Sequence, residues 1–183
     1  MTRDDNGQPG ASPRGLAVGI AAMALIVTAA NVAVQFPIND WLTWGAFTYP
    51  VSFLVTDLCT RIMGPRSARR VVYAGFVIAV ALSAVLATPR IAIASGTAFL
   101  FAQVLDVQIF HRLRRHRLWW APPLVSSSIA SALDTALFFS IAFAGTPVPW
   151  VTLALGDYAV KLALALAMLL PFGIAIRSRL AAA

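Results

Sequence analysis

The chain has 183 residues, 60% of them hydrophobic and 11% charged, and its mean hydropathy is +0.80. A soluble domain carries roughly 25% charged residues, so a water-soluble fold of this length has no core large enough to hide the apolar surface. The formal charge of +7 does not point to nucleic acid, because the arginines cluster between apolar stretches. Those stretches are continuous and do not alternate, which favours membrane-spanning helices over a barrel. Cys59 is the single cysteine, so neither a disulfide framework nor a multi-cysteine metal site is expected. His111 and His116 fall in a basic connection and nominate no metal, and no cofactor is expected.

Residues 1–15 are polar and rich in Gly and Pro, which predicts a disordered cytoplasmic tail. Residues 16–183 then predict one all-α domain of six transmembrane helices, at 16–36, 44–63, 70–88, 91–110, 119–144 and 151–176. Each reaches the roughly 20 residues that cross about 30 Å of hydrocarbon. The first span exceeds a cleavable signal core and is followed by further apolar chain, so it reads as a retained helix. Pro50, inside the second, frees a backbone carbonyl and predicts a bend. Trp41, Trp44, Trp119, Trp120 and Trp150 stand at span ends, as interfacial belts require. Six spans put twelve arginines on one side and only Arg90 on the other. By the positive-inside rule this sets both termini in the cytoplasm.

The chain contains no glutamate, and four of its seven acidic residues, Asp57, Asp106, Asp134 and Asp157, lie inside apolar stretches. A carboxylate at a helix centre costs about 2.5–3.5 kcal/mol even on insertion scales, and such residues mark internal polar sites by default. On the second span Tyr49, Phe53, Asp57 and Arg61 share a face at i,i+4 spacing. Asp57 and Arg61 are expected to form an ion pair there, either as an interfacial anchor or as a cytoplasmic gate. On the fourth, Gln103 and Asp106 offer an amide and a carboxylate one turn apart; the rival reading is a helix-packing hydrogen bond. On the fifth, Ser127, Ser131, Asp134 and Phe138 share a face, and the serines alone would suit close helix approach. On the sixth, Asp157 and Lys161 are again i,i+4, with Tyr158 beside them, and Lys161 is the sole lysine.

Ammonium and carboxylates near the middle of a bilayer point to recognition or proton-linked transport. Tyr49, Phe53, Phe138 and Tyr158, the aromatics on polar faces, are candidates to stack on a flat ligand. Ala154-Leu155-Gly156-Asp157 approaches the Gly-x-Gly-Asp motif of intramembrane aspartyl proteases, but the first glycine is absent and no partner motif is found. The histidines offer no nucleophile pairing, so an enzyme is not expected.

The segment from Thr43 to Gly64 (TWGAFTYPVSFLVTDLCTRIMG), followed by Ala68-Arg69-Arg70, resembles the signature of the bacterial queuosine precursor transporters, also called the vitamin-uptake-like transporter family. Gln103-Val104-Leu105-Asp106-Val107 with Phe110, Leu133-Asp134-Thr135 with Phe138-Phe139, and Asp157-Tyr158 with Lys161 add weaker matches. The family often has an amide shortly before the span-five aspartate, where this chain has Ser131. The resemblance implies six helices similar to the substrate-binding components of energy-coupling-factor transporters. It implies import of 7-cyano-7-deazaguanine, and of its aminomethyl relative as a further candidate, across the bacterial inner membrane for queuosine salvage in tRNA. An importer subunit for another vitamin-like molecule, served by an energising module, is the alternative it leaves open. The partners expected are this small molecule and the lipid bilayer, with no nucleic acid. Asp134, Asp157, Lys161, Gln103, Asp106, Phe53, Phe138 and Tyr158 are the candidate substrate residues.

Overall fold

A computed structural model describes residues 12–86 and 88–181. It is mostly helical. Most of the tail expected over 1–15 lies outside the described residues, and the chain is already helical from Pro13. Helix α1 (Pro13–Ala33) starts there because Ser12 caps it, accepting from the Gly15 N–H at 3.0 Å, and because proline fits the first helical position. A two-stranded ribbon, β1 (Pro37–Asn39) and β2 (Leu42–Thr43), follows where only a short connection is expected. The Asn39 side chain closes its turn by accepting from the Trp41 N–H at 2.8 Å.

Helix α2 (Gly45–Thr48) is a single turn. Pro50, which has no N–H to continue the ladder, separates it from α3 (Val51–Leu86), and Tyr49 and Pro50 form a turn between the two helices. The long α3 is broken at Gly64, whose φ of 81° and ψ of 166° only glycine adopts readily, and Pro65 follows with no N–H to continue the ladder. The second and third expected spans therefore fall on α2 with the first part of α3, and on the second part of α3. The arginine connection expected between them is instead helical, with Arg66, Arg69 and Arg70 on the first turns after the break. Helix α4 (Pro89–Leu113) is capped by Thr88 and opened by a proline, α5 (Ala121–Phe143) has prolines in its first turn, and α6 is Trp150–Ala181.

Among the described residues four helices, α1, α4, α5 and the apolar part of α6, are long and apolar enough to cross a membrane. Their outer faces carry exposed Val18, Leu25, Phe101, Ile129, Leu166 and Leu170, as lipid contact requires. The main packing partners are α1 with α3, α3 with α4, α4 with α5, and α5 with α6. Helix α1 lies close on α3 because Gly75 leaves room for Met23; an added Cβ would sit 2.6 Å from its Cγ. One apolar core joins Met23, Val27, Phe53, Val71 and Phe99. A second joins Ile91, Phe138, Phe139 and Leu153. The polar residues lie between them.

Candidate functional site

Lys161, buried on α6, is the centre of a four-residue cluster. Its ammonium has three N–H groups and meets three acceptors: Asp134 Oδ2 at 2.7 Å, Asp157 Oδ2 at 2.6 Å and Thr135 Oγ1 at 3.0 Å. Asp157 reaches it because i,i+4 spacing on α6 stacks the two side chains. Asp134 and Thr135 reach it from α5. The Thr135 hydroxyl also donates to Asp157 Oδ2 at 2.8 Å, so it bridges cation and anion. The Tyr49 hydroxyl donates to Asp134 Oδ1 at 2.7 Å, and the Tyr49 ring lies 4.9 Å from the ammonium.

Two carboxylates face one ammonium, so the cluster carries a formal charge of −1 when all three groups are ionised. All three side chains are buried. A buried ion pair of this kind tolerates loss of a partner poorly, at about 3–5 kcal/mol. Asp157 Oδ1 receives no hydrogen bond from any described residue, which leaves it available to an incoming donor.

Two small cavities meet at Lys161. The first, of about 20 Å3, lies between α3, α5 and α6 on the arginine-rich side and is lined by Phe53, Asp57, Ser127, Ser131 and Lys161 among others. The second, of about 30 Å3, lies between α1, α2, α4, α5 and α6 and is lined by Asn31, Tyr49, Ser95, Asp134, Phe138 and Asp157 as well as Lys161. Each holds a water or two. Ligand sites run to about 300–1,000 Å3, so the helices must part before a heterocycle enters. The ion cluster is the partition between the two spaces.

The sequence-predicted residues divide into those this arrangement gathers and those it leaves elsewhere. Asp134, Asp157 and Lys161 come together, with Phe53 and Phe138 on opposite sides of them. Gln103 does not join them. Its amide is used between α3 and α4, with Nε2 donating to Ser52 Oγ at 2.9 Å and Oε1 accepting from Thr56. This helix-packing bond, and not a place at the cavities, accounts for its complete burial. Tyr158 also lines neither cavity; its hydroxyl points along α5 toward the Ser128 carbonyl at 3.5 Å.

The expected Asp57–Arg61 ion pair does not form. Asp57 turns inward and accepts from Ser126 at 3.3 Å and Ser127 at 3.1 Å, both on α5. Arg61, one turn nearer the basic end, is exposed and donates to the Arg114 carbonyl at 3.0 Å. Solvent solvates the guanidinium there, and the hydroxyls satisfy the carboxylate where it is buried. Asp106 lies beside Asp57 and reaches neither cavity.

Sequence reading missed Thr135, Asn31 and Ser95. Ser95 donates to Asn31 Oδ1 across α4 and α1, both buried at the wall of the second cavity. Asn31, the one asparagine of the first span, was the available signal. Gly156 has a packing explanation unrelated to any protease motif. An added Cβ there would collide with the Trp41 carbonyl, and this close approach lets Thr152 donate to the Asp40 carbonyl at 2.7 Å and tie the ribbon to α6.

Comparison with known proteins identifies the family. The family described as "Putative vitamin uptake transporter" matches residues 43–88 and 80–176. The chain is 35% identical to "Queuosine precursor transporter" of Escherichia coli (strain K12), over 80% of this chain and 79% of the relative. It is 34% identical to "Probable queuosine precursor transporter" of Haemophilus influenzae, over 81% and 73%. To the protein of the same name from Bacillus subtilis (strain 168) it is 29% identical, over 74% and 71%. No solved structure matches the chain. A multi-pass arrangement of apolar helices and these matches over most of its length carry one conclusion: the chain belongs to the queuosine precursor transporter family.

Proposed function

We propose that this protein imports a queuosine precursor, 7-cyano-7-deazaguanine, with its aminomethyl relative a further candidate, for salvage into tRNA. The observation that carries the reading is the buried Tyr49–Asp134–Lys161–Asp157 cluster, which has one more carboxylate than ammonium, in a chain 35% identical to a protein bearing that name. A deazaguanine presents two adjacent N–H donors on one edge, which a carboxylate accepts in bidentate fashion. Its ring carbonyl accepts from an ammonium, and its flat ring stacks on an aromatic face. Asp134 or Asp157 takes the donor edge, Lys161 the carbonyl, and Phe53 or Phe138 the ring. The ligand thereby replaces contacts that the cluster makes with itself, and the partition between the two cavities opens as it binds.

In this reading the chain crosses the inner membrane six times, with the parts of α3 on either side of Gly64 in the second and third crossings. The fold then resembles the substrate-binding components of energy-coupling-factor transporters. Both termini lie in the cytoplasm, as the arginine distribution favours. Arg90, alone on the opposite side, donates to the Ile141 and Ala144 carbonyls at the end of α5, which suits a cation at a helix C-terminus.

The test supplies a low external concentration of 7-cyano-7-deazaguanine to cells that cannot make it, and measures queuosine in their tRNA. Expression of this chain should restore modification, and Asp134→Ala or Lys161→Ala should not, although both proteins still insert. Modification no greater than with an empty vector would refute the assignment.

A further inference from the structure

The second pair of intramembrane carboxylates, Asp57 on α3 and Asp106 on α4, plays no part in the cluster around Lys161. Asp57 is 3% exposed and Asp106 not at all. They lie next to each other in the packed interior. The hydroxyls of Ser126 and Ser127 each donate to Asp57. Among the described residues neither oxygen of Asp106 has a hydrogen-bond partner within ordinary distance, although Ser126, Ser127 and Asp57 lie near it. A buried carboxylate without a donor, next to a second carboxylate, lacks one thing, an O–H between them.

The groups facing the pair supply no cation to do that work. On its own helix, Arg61 is exposed and engaged with the Arg114 carbonyl. On α4, His111 lies more than a turn beyond Asp106 among Arg69, Arg114 and Arg115. On α5 the neighbours are the two serines. On α6, Lys161 stands across the first cavity with its three N–H groups already taken by Asp134, Asp157 and Thr135. Helix α1 has no titratable side chain beyond Arg14. Two like charges in contact in a low dielectric cannot both ionise without compensation.

We propose that Asp57 and Asp106 form a proton-binding site that holds one proton as an acid–carboxylate hydrogen bond, and that this proton travels inward with the substrate. Binding converts one carboxylate and one bulk proton into a carboxylic acid; release returns the proton to water on the arginine-rich side. Asp57 lines the first cavity together with Lys161, so the dyad and the ion cluster share a space that water can enter. The inference rests on the transport reading above, and two experiments separate the fates of the two.

The first uses purified protein in vesicles, with 7-cyano-7-deazaguanine as probe and with or without an acid-outside gradient. One proton per substrate lets a gradient of about one pH unit drive up to about tenfold accumulation. Asp106→Asn, which keeps the shape and supplies a permanent N–H to Asp57, should retain uptake down a substrate gradient and lose the acid-driven accumulation. Uptake by the unaltered chain that ignores the pH gradient, follows sodium instead, or keeps its pH response in Asp106→Asn would overturn the proton site and leave the transport reading standing. No uptake under any condition overturns both.

The second experiment needs no substrate. Free aspartates lose their protons near about pH 4. A shared proton in the dyad would give the folded chain one proton more than the unfolded chain above that pH, and stability should then fall as pH rises. The unfolding equilibrium constant should grow about tenfold per pH unit on this account until the native proton leaves. Asp57→Asn and Asp106→Asn should each remove that slope, and identical pH profiles in all three proteins would refute the shared proton.

Discussion

Two buried polar groups in this molecule look alike in composition and differ in what surrounds them. Gln103 with Ser52 and Thr56 joins α3 to α4, and Lys161 with Asp134, Asp157 and Thr135 joins α5 to α6. Both are buried, and in both nearly every donor has its acceptor. The Gln103 group is neutral and touches neither cavity. The Lys161 group is charged, carries a carboxylate in excess of its ammonium, and forms a wall of both. A neutral amide between hydroxyls is a sufficient way to hold two helices together in hydrocarbon. A charged cluster is an expensive way to do the same, so its position at the cavities is the feature that needs a function.

The hardest blow to this contrast is Lys161→Met. It leaves Asp134 and Asp157 facing each other with no cation, so unfolding in detergent should become easier by about 3–5 kcal/mol and precursor uptake should vanish. Thermal melts beside an uptake assay check both. Wild-type behaviour in the two would reduce the cluster to decoration.

Asp134→Asn separates the roles more finely. The amide can still accept from Lys161 and donate to the Tyr49 oxygen, so stability should fall by only about 1 kcal/mol. The charged acceptor for the ligand's N–H edge is gone, and a hydrogen bond to a charged group is worth about 1.5–3 kcal/mol. Affinity measured by titration calorimetry should drop roughly ten- to hundredfold, an effect on binding much larger than on folding. The opposite ordering would make Asp134 a structural residue. Thr135→Val comes next: it removes the hydroxyl that bridges Lys161 and Asp157, and should cost about 1–2 kcal/mol in the melt with a several-fold loss of affinity.

What could be read from the chain, and what could not, follows the same division. The i,i+4 spacing of Asp157 and Lys161 is a property of one helix, and the sequence states it. That Asp134 joins them depends on how α5 packs against α6, which no local spacing encodes. The Asp57–Arg61 expectation used the same spacing and failed, because the serines of another helix compete for the carboxylate while solvent competes for the guanidinium. The break at Gly64 comes from glycine followed by proline, a pair the sequence reading did not single out, and the arginines expected between spans continue as helix beyond it. The ribbon over Pro37–Thr43 was not legible, since it is held partly by Thr152 and Gly156, more than a hundred residues away.

The smallest expected effect sharpens the contrast from its neutral side. Gln103→Leu removes an amide that accepts from Thr56 and donates to Ser52. Thr56 retains an alternative acceptor, the Ser52 carbonyl at 3.1 Å, and the Ser52 hydroxyl loses a donor without being stranded as a charge. Hydrogen bonds between helices in membranes average about 0.6 kcal/mol and reach about 1.7. The melt should therefore shift by an amount in that range, and uptake per inserted molecule should match the unaltered protein. If uptake instead collapses while the melt hardly moves, the α3–α4 interface belongs to the transport path, and the line drawn between holding helices and handling substrate is in the wrong place.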